Sequence, residues 1–231
     1  MIKIFLSFFI LISFWSAPAK AGGFFSDLGK TLTGAFDQEG LIILAAGTAA
    51  TALAFSQDIP MHDAWAGNQK MSSGVSSVGD FWGQGWVEGA IAVAQLIWDR
   101  DNGLAHTEGL LISTEVTYIL KFGTQRQRPD DSSNRNSFPS GHTQFAFASA
   151  TSMMKSYGWG VGAPFYAMGV FTGLSRIADN KHWLSDTVAG ATIGILFARS
   201  AAKVNETHMI VTPTAFNNGS RSLGLQLTYL F

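Results

Sequence analysis

Short polar clusters between Lys121 and Asp186 are set among apolar runs of helical length. The clusters are Lys121–Pro129, Pro139–His142 and Ser175–Asp186. An apolar helix must bury a face against another element, so this arrangement predicts a helical body. We expect the three clusters to form one site, with the rest of the chain as its frame.

Composition excludes several classes of protein. The chain has 231 residues, of which 47% are hydrophobic and 13% charged, so it is apolar for a soluble protein yet short of a transporter with many membrane spans. Its formal net charge of −1 gives no general attraction for nucleic acid. Because it has no cysteine, disulfides, thiolate nucleophiles and zinc–thiolate sites are excluded.

The N-terminus has the pattern of a secretory signal peptide. Lys3 provides a positive start, an apolar run follows from Ile4 to Trp15, and Ala19 and Ala21 are the small residues that a signal peptidase reads. The run is short for a membrane span, so we predict cleavage after Ala21. An uncleaved anchor helix or a buried core helix is the alternative.

Apolar patterns and turn signals predict the main helices. Gly40–Gln57 is uncharged and suits either a core helix or a membrane span. Gln69–Gly85, rich in serine and glycine, predicts a loop, and Asp99–Gly103 predicts a turn. Further helices are predicted at Val87–Trp98, Thr107–Phe122, Phe145–Met154 and Ser185–Arg199, where Gly190 and Gly194 permit close packing.

Phenylalanine and tryptophan residues cluster beside glycines at Phe81–Trp86. Such rings serve as an interfacial anchor, as an apolar lip for a substrate, or as a cap on the helical core. Large aromatic side chains are usually buried for packing, so the cap is the preferred interpretation.

After Lys203 the pattern changes to that of β-structure. His208–Phe216 is rich in β-forming residues, Asn217-Asn218-Gly219 is a strong turn signal, and apolar residues alternate from Leu223 to Phe231. We predict a β-hairpin that lies on the helical body. The expected organisation is a signal peptide at 1–21, a helical domain at 22–204 and a hairpin tail at 205–231.

Three cations in the clusters suit a phosphate group. Guanidinium forks match phosphate oxygens and lysine adds a point charge, so Lys121, Arg128 and Arg176 are the candidate cradle. Ser140 and Gly141 precede an expected helix and can add a hydroxyl and free backbone N–H groups. Taken alone, each has an ordinary structural explanation, such as a helix-end charge for Lys121.

Two histidines and an aspartate supply reactive groups. His182 and Asp186 lie four residues apart, so on a helix they share a face, and Asp186 can hold one ring nitrogen while the other attacks phosphorus. His142, beside the Ser140-Gly141 turn, is placed to protonate a leaving oxygen. A single His–Asp pair at this spacing is more often structural, so the joint arrangement carries the prediction.

The three clusters resemble the signature motifs of the type-2 phosphatidic acid phosphatase and vanadium haloperoxidase superfamily. The patterns Lys-x6-Arg-Pro, Pro-Ser-Gly-His and Ser-Arg-x5-His-x3-Asp all match in order, and the resemblance extends over Thr107–Ser200. It implies an all-α helical bundle and a phosphohistidine mechanism that uses no metal or other cofactor.

The resemblance also assigns roles to individual residues. The expected catalytic residues are His182 as the nucleophile, Asp186 as its orienting partner and His142 as the general acid. The expected phosphate-binding residues are Lys121, Arg128, Ser140, Gly141 and Arg176.

The expected function is a phosphatase for phosphate monoesters or pyrophosphates. The expected location is the periplasm, or a membrane with the protein facing the periplasm. The Phe81–Trp86 segment and the overall apolarity favour a lipid phosphate, and a soluble acid phosphatase for small esters is the close alternative. A vanadium haloperoxidase, holding vanadate in the same cradle, is a different reaction class, and a non-catalytic binding protein is a third. Nucleic acid is not an expected partner.

Overall fold

The structure is a computed structural model that describes residues 21–67, 70–130, 133–205, 208–217 and 221–230. The predicted signal peptide, apart from Ala21, lies outside the described residues. Side-chain placement is described for residues 26–66, 70–130 and 133–205.

Within these ranges the chain forms nine α-helices, and a π-helical turn at Asp63–Gly67 follows the third. The helices are α1 Ala21–Gly34, α2 Gln38–Ser56, α3 Asp58–His62, α4 Ser73–Trp82, α5 Gly85–Trp98, α6 Arg100–Thr124, α7 Gly141–Tyr157, α8 Trp159–Ala178 and α9 Leu184–Asn205.

The last helix, α9, lies at the centre of the bundle and packs against α1, α2, α6 and α7. A Cβ atom at Gly190 would lie 2.3 Å from the Ser140 carbonyl oxygen, and one at Gly194 would lie 2.4 Å from the Gln144 carbonyl oxygen. Glycine is therefore required for this close approach of α9 to α7, as the sequence predicts. The crossing brings the start of α9 next to the start of α7.

Small and polar residues fill much of the space between the helices. Three alanines and one leucine from four helices meet in one cluster, at Ala92, Leu110, Ala148 and Ala198. Many large apolar side chains point outward instead, with exposures of 72% at Leu53 and 81% at Phe122. The bundle thus presents an unusually apolar surface.

Two of the described helices are long and apolar enough to cross a membrane, judged by length and composition. They are α2 Gln38–Ser56, with 11% of its apolar window buried in the bundle, and α9 Leu184–Asn205, with 61% buried. The weak burial of α2 leaves its apolar surface available to surroundings other than the bundle.

The helix α2 is fixed to α9 by a charged clamp. Asp37, just before α2, accepts hydrogen bonds from Arg199 Nη1 at 2.7 Å and Nη2 at 2.9 Å, and Lys203 donates to it at 2.7 Å. These cations hold the pKa of the Asp37 carboxyl well below its ordinary value. The Asp37 carboxyl therefore stays charged over the pH range in which most proteins work.

Two predictions of irregular structure are wrong. The predicted loop Gln69–Gly85 contains α4, which packs on α8 so closely that a Cβ atom at Gly79 would lie 2.4 Å from Ser175 Oγ. The predicted turn Asp99–Gly103 is the beginning of α6, where a Cβ atom at Gly103 would lie 2.4 Å from the Leu96 nitrogen. In both segments the glycines allow two helices to pack closely, although glycine in sequence is also a turn signal.

Two strands follow α9, β1 His208–Asn217 and β2 Arg221–Leu230. Their backbones pair antiparallel, with Thr212 opposite Gln226. Residues 218–220, which hold most of the predicted turn, lie outside the described residues. The helices themselves form an all-α bundle, as predicted.

Candidate active site

Six side chains from four regions of the chain line a cavity of about 140 Å³. A water molecule occupies about 30 Å³ in the liquid, so the cavity has room for a group of a few heavy atoms. Four of the lining residues are predicted site residues and two are not. The lining residues are Asp80, Arg128, His142, Arg176, Lys181 and His182.

His182 forms one wall of the cavity, with Asp186 behind it. The side chain of His182 is 3% exposed and that of Asp186 is fully buried. Nδ1 of His182 lies 3.6 Å from Asp186 Oδ2, slightly beyond hydrogen-bonding distance, and catalytic bonds of this kind often tighten only when a substrate is bound. Burial lowers the pKa of His182 to about 4, and Asp186 opposes that shift. The ring is therefore neutral at neutral pH.

The prediction that His182 and Asp186 share one helix face is wrong. α9 begins at Leu184, so His182 lies in the preceding loop and Asp186 in the first turn. The Asp186 carboxylate accepts bonds at Oδ2 from the Trp183 backbone N–H at 2.9 Å and from Ser137 Oγ at 2.5 Å. The local fold of the loop over the helix start, and not helical periodicity, brings the two side chains together.

Arg128 reaches the cavity from the loop between α6 and α7. Its backbone N–H donates to the Asn134 carbonyl at 3.3 Å. Its Nε is buried and has no hydrogen-bond partner among the described residues. A buried donor without a partner is costly, so this arginine is suited to receive an anion.

Arg176 is held between two carboxylates. Nη1 donates to Asp80 Oδ1, and Nη2 donates to Asp179 Oδ2 at 2.9 Å. The guanidinium side chain is 4% exposed, whereas that of Asp80 is 37% exposed. An anion that enters the cavity therefore competes with Asp80 for Nη1.

His142 faces the same aspartate from the first turn of α7. Its Nε2 lies 3.2 Å from Asp80 Oδ1. Burial and the positive charge of Arg176 lower the pKa of His142 to about 4, with smaller effects of the same sign from Lys121 and Arg128. Asp80 acts in the opposite direction, and a bound phosphate dianion would do the same.

The three remaining predicted residues lie beside the cavity rather than in its wall. Lys121 Nζ donates to the Asn136 carbonyl at 2.8 Å, and burial lowers the pKa of Lys121 to about 8. Gly141 lies close by, since a Cβ atom there would be 4.0 Å from Lys121 Cε. Ser140 Oγ caps α7 by accepting from Thr143 Oγ1 at 3.0 Å and from the Thr143 N–H at 3.5 Å.

Sequence reasoning missed two lining residues. Asp80 lies in the segment predicted as a loop, and its partner Arg176 is nearly a hundred residues away, so no local signal identifies it. Lys181 is adjacent to His182 and pairs with Asp130 at 3.2 Å. Within the described part of the chain, no three His, Asp or Glu side chains are grouped as a metal ion requires.

The fold and the site define an α-helical bundle with arginines and histidines around a partly open cavity. The model of the PAP2 superfamily matches residues 103–210 of this chain, just under half of its length. The family resemblance predicted from the three clusters is confirmed.

Two known proteins are similar to this chain. A lipid A 1-phosphatase of Porphyromonas gingivalis is 40% identical over 113 residues, which are 47% of this chain and 25% of that protein, so the match spans a quarter of the relative's length. The crystal structure of Aquifex aeolicus LpxE superposes with a TM-score of 0.56 at 20% identity, covering 63% of this chain and 94% of that one. The second likeness confirms the helical-bundle fold.

Proposed function

We propose that the protein is a metal-independent phosphatase that hydrolyses phosphate monoesters or pyrophosphates of lipids through a phosphohistidine intermediate. The observation that carries this proposal is the cavity itself. One buried neutral histidine, His182, faces Arg128 and Arg176 across a space that suits a phosphoryl group. Phosphoryl transfer depends mainly on such positioning and charge stabilisation.

In the first step, His182 acts as the nucleophile. With its proton on Nδ1, directed at Asp186 Oδ2, the lone pair of Nε2 is free to form a bond to phosphorus. The bond from phosphorus to the leaving oxygen breaks as the nitrogen–phosphorus bond forms. Asp186 stabilises the positive ring that results.

His142 then serves as the general acid and, in the second step, as the general base. It gives its ring proton to the leaving oxygen and later takes a proton from the water that attacks phosphorus. The water's attack breaks the nitrogen–phosphorus bond and returns the lone pair to His182. The bound phosphate, being negative, raises the pKa of His142 from its low value in the free protein and so favours the acid form.

The phosphate oxygens are bound by Arg128, Arg176 and Lys121, with Ser140 and Gly141 at the start of α7. Arg128 Nε is a free buried donor, and the N-terminus of α7 favours negative charge. Lys121 needs only to leave the Asn136 carbonyl to reach the site beside Gly141. Arg176 donates to a phosphate oxygen when that oxygen replaces Asp80 Oδ1 at Nη1.

A lipid substrate is supported by the surface beside the cavity. Asp80, in the cavity wall, is followed by Phe81, which is 51% exposed and meets the 49% exposed Trp86 edge to face at 5.1 Å. The interpretation that Phe81 and Trp86 only cap the core is therefore wrong, although Trp82 does pack on Phe165. The half-exposed pair provides an apolar lip for an acyl chain or a membrane interface.

A location at the membrane is part of the proposal. The apolar helices α2 and α9 are the candidate spans. The lipid A 1-phosphatase to which the chain is similar is named for a lipid phosphate. We propose export by the signal at 1–21, an active site facing the periplasm, a helical domain at 22–204 and a hairpin tail at 205–231.

The proposal is tested by phosphate release from the purified protein in the presence of EDTA. A lipid phosphate in mixed micelles is compared with a soluble aryl phosphate. We expect release that EDTA does not suppress, with the lipid preferred. Preference for the aryl ester would favour the soluble acid phosphatase, and loss of activity with EDTA would contradict the metal-independent mechanism.

Orthovanadate is expected to inhibit the enzyme competitively. Vanadate adopts the trigonal-bipyramidal geometry of a phosphoryl group in transfer, so the same cations and His182 bind it. Initial rates at several vanadate concentrations check this. Full activity at millimolar vanadate would contradict the site as described, and halide oxidation by the vanadate-loaded protein would instead reveal a haloperoxidase.

Replacing Asp80 with asparagine is expected to move the alkaline limb of the kcat profile to lower pH. The reaction needs protonated His142, and the Asp80 carboxylate raises the pKa of that histidine. Without the carboxylate, His142 loses its proton at a lower pH. Asp179→Asn is the matched control, because it also removes a carboxylate from Arg176 but not the one beside His142. An unchanged limb in Asp80→Asn would show that Asp80 does not act on His142.

A further inference from the structure

Arg126 lies inside the first polar cluster, at a position that the Lys-x6-Arg-Pro spacing leaves open. Its guanidinium is directed away from the cavity lining and toward the start of α9. Nη1 donates to Asp186 Oδ1 and to Ser185 Oγ, both at 2.7 Å, and Nη2 donates to an aspartate of α3 at 2.6 Å. All of these bonds are short and charge-assisted.

That aspartate, Asp58, is 4% exposed and joins the same group of atoms. Its Oδ1 accepts from the Ser185 backbone N–H at 2.8 Å, and its Oδ2 accepts from Ser185 Oγ at 2.7 Å. One carboxylate therefore caps the N-terminus of α9 and also binds Arg126.

Two aromatic rings lie close to the guanidinium. The Arg126 Cζ lies 4.6 Å from the centroid of Phe55 and 5.5 Å from that of Trp183. Cation–π contacts of this kind fix a guanidinium plane that a lysine cannot reproduce. Phe55 belongs to α2, so the N-terminal helices take part in the arrangement.

Resting on the proposed phosphatase function, we propose that Arg126 and Asp58 are positioning residues that fix the Asp186 carboxylate and, through it, the ring of His182. Arg126 occupies Oδ1 of Asp186 and leaves Oδ2 for His182, Ser137 and the Trp183 N–H. The carboxylate thereby has one orientation.

This assignment extends the site beyond the segment that the family match covers. The match begins at residue 103, whereas Asp58 and Phe55 lie in α3 and α2. The helices before residue 103 are thus part of the catalytic arrangement and not only its support.

The test compares Arg126→Lys and Arg126→Gln with wild type in the full chain, using the lipid phosphate in micelles. Misplacing a catalytic group by about 1 Å costs about a hundredfold in rate, so we expect kcat to fall about a hundredfold in Arg126→Gln. KM should change little, because Arg126 does not contact the phosphate. A lysine retains the charge but not the fork, so Arg126→Lys should recover only part of the loss.

Arg199→Lys is the matched control. Arg199 is also a buried arginine held by carboxylates, but it clamps α9 to α2 away from the cavity. We expect Arg199→Lys to lower the thermal unfolding midpoint and leave kcat unchanged. Equal kcat in wild type and Arg126→Gln, or a rise in KM with constant kcat, would overturn the positioning role.

A second readout does not depend on activity. Histidine NMR of the micellar protein follows the titration of His182, whose surroundings include Asp186, Lys121 and Arg128. The Asp186 carboxylate raises the pKa of His182, so its misplacement after the loss of Arg126 should lower the pKa of His182 in Arg126→Gln. An unchanged titration would overturn the inference, and absence of phosphate release from wild type would instead overturn the proposed function.

Discussion

The His182→Ala variant is expected to lose phosphate release almost completely. His182 forms the covalent bond to phosphorus in the proposed mechanism. In other enzymes, removing the catalytic nucleophile lowers kcat by as much as about a millionfold. A residual rate would reflect water attack assisted by the cations that remain around the cavity. Phosphate release with excess lipid phosphate measures the loss, with protein concentrations raised to detect slow turnover.

Folding must be checked in the same variant, because His182 is buried. The far-ultraviolet circular dichroism spectrum should match that of wild type. His62→Ala is the matched control, since His62 lies near the site, 5.6 Å from the Trp183 ring, but does not line the cavity. Ordinary activity in a folded His182→Ala protein would contradict the histidine mechanism.

The His142→Ala variant is expected to lose activity in proportion to the difficulty of the leaving group. General acid catalysis contributes about a hundredfold to ten-thousandfold, and an alkyl oxygen needs the proton most. We therefore expect a loss of that order for a lipid phosphate ester. An aryl oxygen leaves readily without a proton, so the loss for an aryl phosphate should be much smaller.

The comparison of the two esters separates proton donation from phosphate binding. A binding role for His142 would lower activity equally for both, because they share the phosphate group. The losses are compared as kcat/KM, which does not include the second step, where His142 acts as the general base. Equal losses in kcat/KM would thus contradict the general acid role, even if both losses were large.

The cation and histidine clusters could be predicted from the sequence because their chemistry is local. Lys121, Arg128, His142 and Arg176 stand out because they lie in short polar clusters beside apolar runs. Their convergence depends on α9 crossing α7 at Gly190 and Gly194, which the small residues of that helix also indicate.

The contributions of Asp80, Asp58 and Arg126 could not be predicted in this way. Asp80 meets Arg176 across 96 positions, and Asp58 meets Ser185 across 127, so only the folded bundle brings them together. Arg126 and Arg128 are two residues apart and look alike in sequence. The loop directs the side chain of Arg126 to Asp186 and that of Arg128 to the cavity. Sequence alone does not reveal these directions.

The segments around Gly79 and Gly103 are helical and not irregular as predicted, for a related reason. Gly79 and Gly103 have the appearance of turn residues, yet each lies where two helices touch. Tertiary contact selects glycine there for its missing side chain, and the local preference for a turn is overridden.

The stereochemical course at phosphorus tests the central claim most directly. The substrate is a phosphorothioate ester made chiral at phosphorus with two oxygen isotopes, and it is hydrolysed in water labelled with the third isotope, so that the inorganic thiophosphate product is chiral. Two in-line displacements, first by His182 and then by water, each invert the configuration, so the account predicts overall retention. Overall inversion would mean a single attack by water and would contradict the phosphohistidine intermediate.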